Sequence, residues 1–158
     1  MKELLQQIEQ GNPAQDNDKI FGLPFDQDSA KLILIPVPWE PTTSYGSGTS
    51  SSRDSLIEAS QQLDLEDLVF KQPYLQGFYL LPEDKKIILW NKECKKYVEH
   101  ARAVDDNNLL QKINNLGENL NSKVEQIAAE YLKKGKLVGV IGGDHSSPFG
   151  LIKALAQK

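Results

Sequence analysis

The chain has 158 residues and no apolar run approaching the roughly 18 residues that a membrane-spanning helix requires. Lysine and arginine total 18 against 22 acidic residues, giving a net charge of −4 and a pI near 5.2, a balance that disfavours nucleic acid as a partner. A single cysteine, Cys94, and two histidines, His100 and His145, exclude an internal disulfide, a multi-cysteine zinc site and a self-contained histidine-rich metal site. The opening MKELLQQIEQ lacks the basic-then-apolar layout of a secretory leader, so a reducing, cytoplasmic setting with no membrane association is the expectation.

Residues 1–30 mix short apolar pieces with Gly11, Pro13, Gly22 and Pro24 and with Asp16, Asp18, Asp26 and Asp28. They read as an irregular surface arm, a cover more than a core element, followed by one α/β domain over 31–158. Leu32, Ile33, Leu34, Ile35 and Val37 form a nearly continuous apolar run, too short for a helix and not alternating, which is the pattern of a buried parallel strand. Pro36 and Pro38 end it, since proline donates nothing to a ladder. The next stretch, WEPTTSYGSGTSSS over 39–52, is a long loop rich in Gly, Ser and Thr. Loops of that length are either functional or disordered; Trp39 and Tyr45 weigh against a featureless linker.

Leu56, Ile57, Ala59 and Leu63 fit a short amphipathic helix with serines and Asp54 at its start. Leu65, Leu68, Val69 and Phe70 suggest an extended piece, as do residues 78–81, with Pro73, Gly77 and Pro82 as breaks. Cys94, Tyr97, Val98 and Ala101 recur at helical spacing within 92–104. Leu109, Ile113, Leu116, Leu120, Val124, Ile127 and Tyr131 do so at steps of four and three, which argues for a helix over 109–134 despite the asparagines that lower its propensity. Gly135 closes that helix, with Lys133 and Lys134 placed against its negative end.

Leu137, Val138, Val140 and Ile141 make a second short apolar strand, and Gly142, Gly143, Asp144, His145, Ser146, Ser147 and Pro148 follow at once. The order is strand, tight turn, helix. Ser146 or Ser147 is placed to cap the new helix, Pro148 to occupy its first turn, and Leu151, Ile152 and Leu155 to continue its buried face. Two parallel strands joined through helices would put His145 at the carboxyl edge of the sheet, where open α/β sheets bind ligands. Asp144 is placed to orient the ring or to fix the turn. A structural histidine and an anion site at the helix start are the competing readings. The anion site is the weaker, because the segment has neither a P-loop lysine nor G-x-G-x-x-G spacing and carries a carboxylate where a phosphate would sit.

The segment VGVIGGDHSSPFG resembles the first metal-binding segment of the ureohydrolases, the arginase and agmatinase superfamily. The earlier stretch PVPWEPTTSYGSGTSSSRDSLIEASQQLDLED resembles the first strand, loop and helix of its agmatinase-like branch, in the same order, so that the likeness covers residues 32–158. The resemblance implies a three-layer α/β/α fold with a parallel sheet, and a pair of manganese ions that activate a hydroxide for attack on the carbon of a linear amidine or guanidino compound. Within it His145 matches a manganese ligand and Asp144 a neighbour in the shell around the ligands. The family's remaining ligands come from a later Asp-x-His-x-Asp segment and a still later pair of aspartates; this sequence contains no Asp-x-His. The chain therefore reads as the N-terminal half of a ureohydrolase, unable alone to hold manganese tightly. An open sheet edge would favour homo-oligomers. A non-catalytic α/β binding or interaction domain is the alternative.

Overall fold

The computed structural model of the chain describes residues 2–9 and 18–157. Three parallel strands, β1 (Leu32–Pro36), β2 (Phe78–Leu80) and β3 (Leu137–Ile141), form one sheet in the order β2-β1-β3. Leu32 through Pro36 pair in register with Leu137 through Ile141, so the two strands recognised from their apolar runs are parallel neighbours. The crossover between them contains α2 (Ser52–Ser60), β2, α3 (Lys85–Ala101) and α4 (Asn107–Lys133), while α1 (Lys2–Glu9) precedes β1 and α5 (Phe149–Ala156) follows β3. A parallel pair requires such a crossover, because a tight turn cannot return the chain in the same direction.

The α4 periodicity is realised in packing. Leu116, Leu120 and Val124 are buried and join Ile33, Ile35 and Val37, Ile87 and Cys94 of α3, and Ala154 of α5 in one core. Asp84 and Asp106 cap α3 and α4 by accepting the amides of Lys86 and Asn108. At the far end of α4, Gly135 takes φ +73°, its amide reaching the Leu132 carbonyl and that of Lys136 the Tyr131 carbonyl, the paired closure that a left-handed residue permits. Helix α3 starts at Lys85, earlier than the apolar spacing over 92–104 suggests, because the Asp84 cap and Ile87 extend it.

Several expectations are corrected. Within 1–30, Gly11, Pro13 and Asp16 lie outside the described residues, but α1 is helical, with Leu5 and Ile8 packed on the core. Ile20, Leu23, Phe25 and Ala30 are buried, and Phe21 meets Phe78 edge to face at 5.3 Å, so this stretch supplies core. The aspartates that dilute these apolar residues in sequence hide that contribution from a reading of periodicity. The 65–70 stretch forms no strand: Asp67 accepts the amides of Val69 and Phe70, and reciprocal bonds between Asp67 and Lys71 close a turn that leaves Leu68, Val69 and Phe70 exposed. No side-chain cap forms at the start of α2, and Ala59 and Leu63 are exposed, because the helix ends at Ser60 before Leu63 is reached.

Strand β3 is not buried as its apolar run suggests. It stands at an edge of the sheet, with Leu137 exposed and the rest half-buried. On α5 the buried residues are Gly150 and Ala154, while Ile152 and Leu155 face outward. Nothing among the described residues covers that side. The α5 start also differs from expectation: Pro148 occupies the cap position and neither serine caps the helix through its side chain.

Candidate functional site

The turn after β3 is built by its own backbone and by the loop after β1. Gly142 and Gly143 take φ +85° and +76°. An added Cβ at Gly143 would lie 2.0 Å from Ser147 Oγ and 2.8 Å from the carbonyls of Val37 and Trp39, so only glycine lets the turn sit this close to the end of β1. The Gly143 amide donates to the Thr49 carbonyl at 3.1 Å, and the Asp144 amide to that of Trp39 at 2.8 Å. Asp144 fixes the turn: Oδ1 accepts from the amide and the hydroxyl of Ser146, and Oδ2 from Thr42 Oγ1. Its carboxylate is thus held by two hydroxyls and one amide, with no bond to the His145 ring.

His145 is exposed at the carboxyl edge of β3, and its ring takes no hydrogen bond among the described residues. It lines a cleft of about 460 Å³ with Asp144, Ser146, Thr42, Tyr45 and Thr49. The long loop therefore roofs this edge. His100, by contrast, lies on the exposed C-terminal turn of α3 with Nδ1 against the Lys96 carbonyl, away from this cleft.

Sequence reasoning passed over Glu40. Its side chain is buried in a loop of polar residues, 3% exposed, and accepts from the amides of Gly48 and Ser50, from Thr49 Oγ1, and from Lys95 Nζ at 2.5 Å. Burial pushes the carboxyl up, but Lys95, the two amides and the Thr49 hydroxyl together hold it well below the usual carboxylate range. Its own amide donates to the buried Asn91 Oδ1. Asn91 and Lys95 stand four residues apart on α3, a spacing that could have drawn attention to a polar stripe on an otherwise packed face. Below the turn, Ser147 is 1% exposed and its hydroxyl has no partner among the described residues.

The arginase family model matches residues 30–158, almost the whole of the described α/β structure. The chain belongs to the arginase family. An N(1)-aminopropylagmatine ureohydrolase of Synechocystis sp. is 25% identical over 130 residues, which are 81% of this chain and 35% of that relative. The arginase-family chain thus spans about a third of the length of the curated relative it matches. No solved structure matches it significantly. The family implies a metal-dependent site. The residues described here do not fit such a site unaided: Asp144 is engaged by Ser146 and Thr42, and among the described residues no three of His, Cys, Asp and Glu gather as a metal ion requires.

Proposed function

We propose that this chain contributes the N-terminal part of a manganese-dependent ureohydrolase of the agmatinase-like branch, which hydrolyses a C–N bond of a linear amidine or guanidino compound. The observation that carries the reading is the position of His145: an unpaired imidazole in a cleft at the carboxyl edge of a parallel sheet, in an arginase-family chain. In this reading His145 is one metal ligand and Asp144 holds the ligand-bearing turn in shape. The other ligands come from polypeptide beyond these 158 residues. The relative's much greater length and the lack of an Asp-x-His segment here support that division. Because several hard ligands must converge before a bound water becomes a nucleophile, the chain by itself neither retains manganese nor turns over substrate.

Two measurements test this. The purified chain, dialysed and assayed with added manganese, is expected to hold no stoichiometric metal and to release no urea from agmatine or arginine. The coding DNA beyond codon 158 is expected to encode an Asp-x-His-x-Asp segment, and the longer product to bind manganese and release urea, both lost in His145→Ala. A longer product indifferent to His145→Ala would overturn the assignment of His145. A stop codon with no such segment nearby would instead favour a non-catalytic binding domain.

A further inference from the structure

We infer that Glu40 is a positioning residue for the His145 turn, acting through the backbone of the loop it grips; the role for catalysis rests on the function proposed above. The path is short and each link is a hydrogen bond. Helix α3 holds Glu40 at two points, Asn91 on its amide and Lys95 on its carboxylate. The carboxylate in turn gathers three donors from Gly48, Thr49 and Ser50. Thr49 then receives the Gly143 amide on its carbonyl, and Trp39, the residue before Glu40, receives the Asp144 amide. The two backbone amides immediately before His145 therefore end on Thr49, which the Glu40 carboxylate grips, and on the carbonyl of the peptide unit whose Glu40 amide Asn91 holds.

The chemistry argues that this is more than ballast. A carboxylate removed from water loses much of its hydration, and a buried ion pair is commonly no more stabilising than apolar side chains of the same volume. What a carboxylate supplies, and an apolar residue cannot, is convergence: one group accepting several donors in fixed directions. A loop rich in Gly, Ser and Thr has many conformations of similar energy, and three donors drawn to one anion select among them. The selected conformation is the one that presents the Thr49 carbonyl to Gly143. The ligand-bearing turn is thus registered against α3, across about 50 residues of sequence, by one buried acid.

Nitrogen-15 NMR of the 158-residue chain tests this without metal or substrate, so its outcome is separate from that of the hydrolase reading. Glu40→Gln keeps the shape and removes the charge. It is expected to move the amide resonances of Gly143 and Asp144 and the His145 ring signals. The Gly143 amide should exchange roughly tenfold faster, as loss of about one hydrogen bond would allow. Ile20→Val, which loosens the core away from α3, the loop and the turn, is the control and should leave those signals in place. If Glu40→Gln fails to fold, Lys95→Met removes a single bond to the carboxylate with the loop and turn sequence unaltered, and should shift Gly143 in the same direction. Changes confined to residues 48–50, with the 143–145 signals as in the control, would overturn the inference for either variant.

Discussion

Replacing Gly143 with alanine probes how tightly the turn is built. Two penalties add. At φ +76° an L residue carries about 1–2 kcal/mol of backbone strain. The new methyl would also lie 2.0 Å from Ser147 Oγ and 2.8 Å from two carbonyl oxygens at the end of β1. Ser147 is 1% exposed and the carbonyls belong to backbone just beyond β1, tied to Ile141 through the Val37 amide, so relief requires the turn to move, an overpacking penalty of about 1–3 kcal/mol. Gly135→Ala is the matched control: φ is +73°, yet nothing lies within 4 Å of the added carbon, so only the strain applies. Thermal unfolding should therefore separate the two variants by about 2 kcal/mol, or roughly 4–8 °C for a domain of this size. Adding Ser147→Ala to Gly143→Ala should recover part of the loss, since it removes the nearest oxygen and that hydroxyl has no partner to forfeit. The two carbonyl contacts keep the recovery partial. Equal melting of Gly143→Ala and Gly135→Ala would refute the account of the turn.

Glu40 should shape the acid limb of stability. Its carboxyl titrates lower in the folded chain than the ordinary 4.5, so its contribution is complete above that pH and is lost as pH falls below it. Glu40→Gln should destabilise the chain by about 1–3 kcal/mol at pH 7, the cost of weakening the acceptor of several buried donors, and the gap should shrink when denaturant unfolding is repeated towards about pH 3; a gap constant over that range would count against it. Cys94 is fully buried, and burial first, then the carboxylates of Asp144 and Glu93, push its thiol up to about 11. Iodoacetamide at pH 8 should leave the folded chain unlabelled by mass spectrometry and modify it fully in denaturant, whereas rapid native labelling would contradict the packing of α3. The open β3 edge with exposed Leu137, Ile152 and Leu155 should make size-exclusion elution depend on concentration, and Ile152→Lys should shift it towards monomer. A concentration-independent monomer would show that this side does not associate.

Most of the architecture was legible because it rests on periodicity. β1 and β3 stood out as unbroken apolar runs, and α4 as seven apolar residues at steps of three and four. What failed was context. An apolar run says nothing of whether a neighbour will cover it, so β3, Ile152 and Leu155 read as buried and are not, and Leu68, Val69 and Phe70 read as a strand where Asp67 closes a turn. At the site, the glycines, Asp144 and His145 are contiguous and could be read together. Glu40 could not: a carboxylate in a polar loop looks solvated, and its partners lie eight to ten residues on, in the loop, and 55 residues on, in α3. The resemblance to the ureohydrolases pointed to the turn, but not to the acid that anchors its roof.

The strand order β2-β1-β3 also sets a timetable. β1 is central, yet its two partners arrive at very different times: β2 begins some 46 residues after it, β3 some 105. Closing the larger loop carries an entropic barrier of about 4 kcal/mol beyond a constant term, before any β1–β3 ladder bond forms. Helices α3 and α4, whose contacts are nearer in sequence, face no such delay and can condense while β1 still lacks its second neighbour. The GGDH turn hangs from β3 and closes on carbonyls beyond β1. Its geometry therefore depends on the longest-range pairing in the sheet, and a variant that prevents β3 from docking is expected to keep α3 and α4 helical while His145 has no defined place.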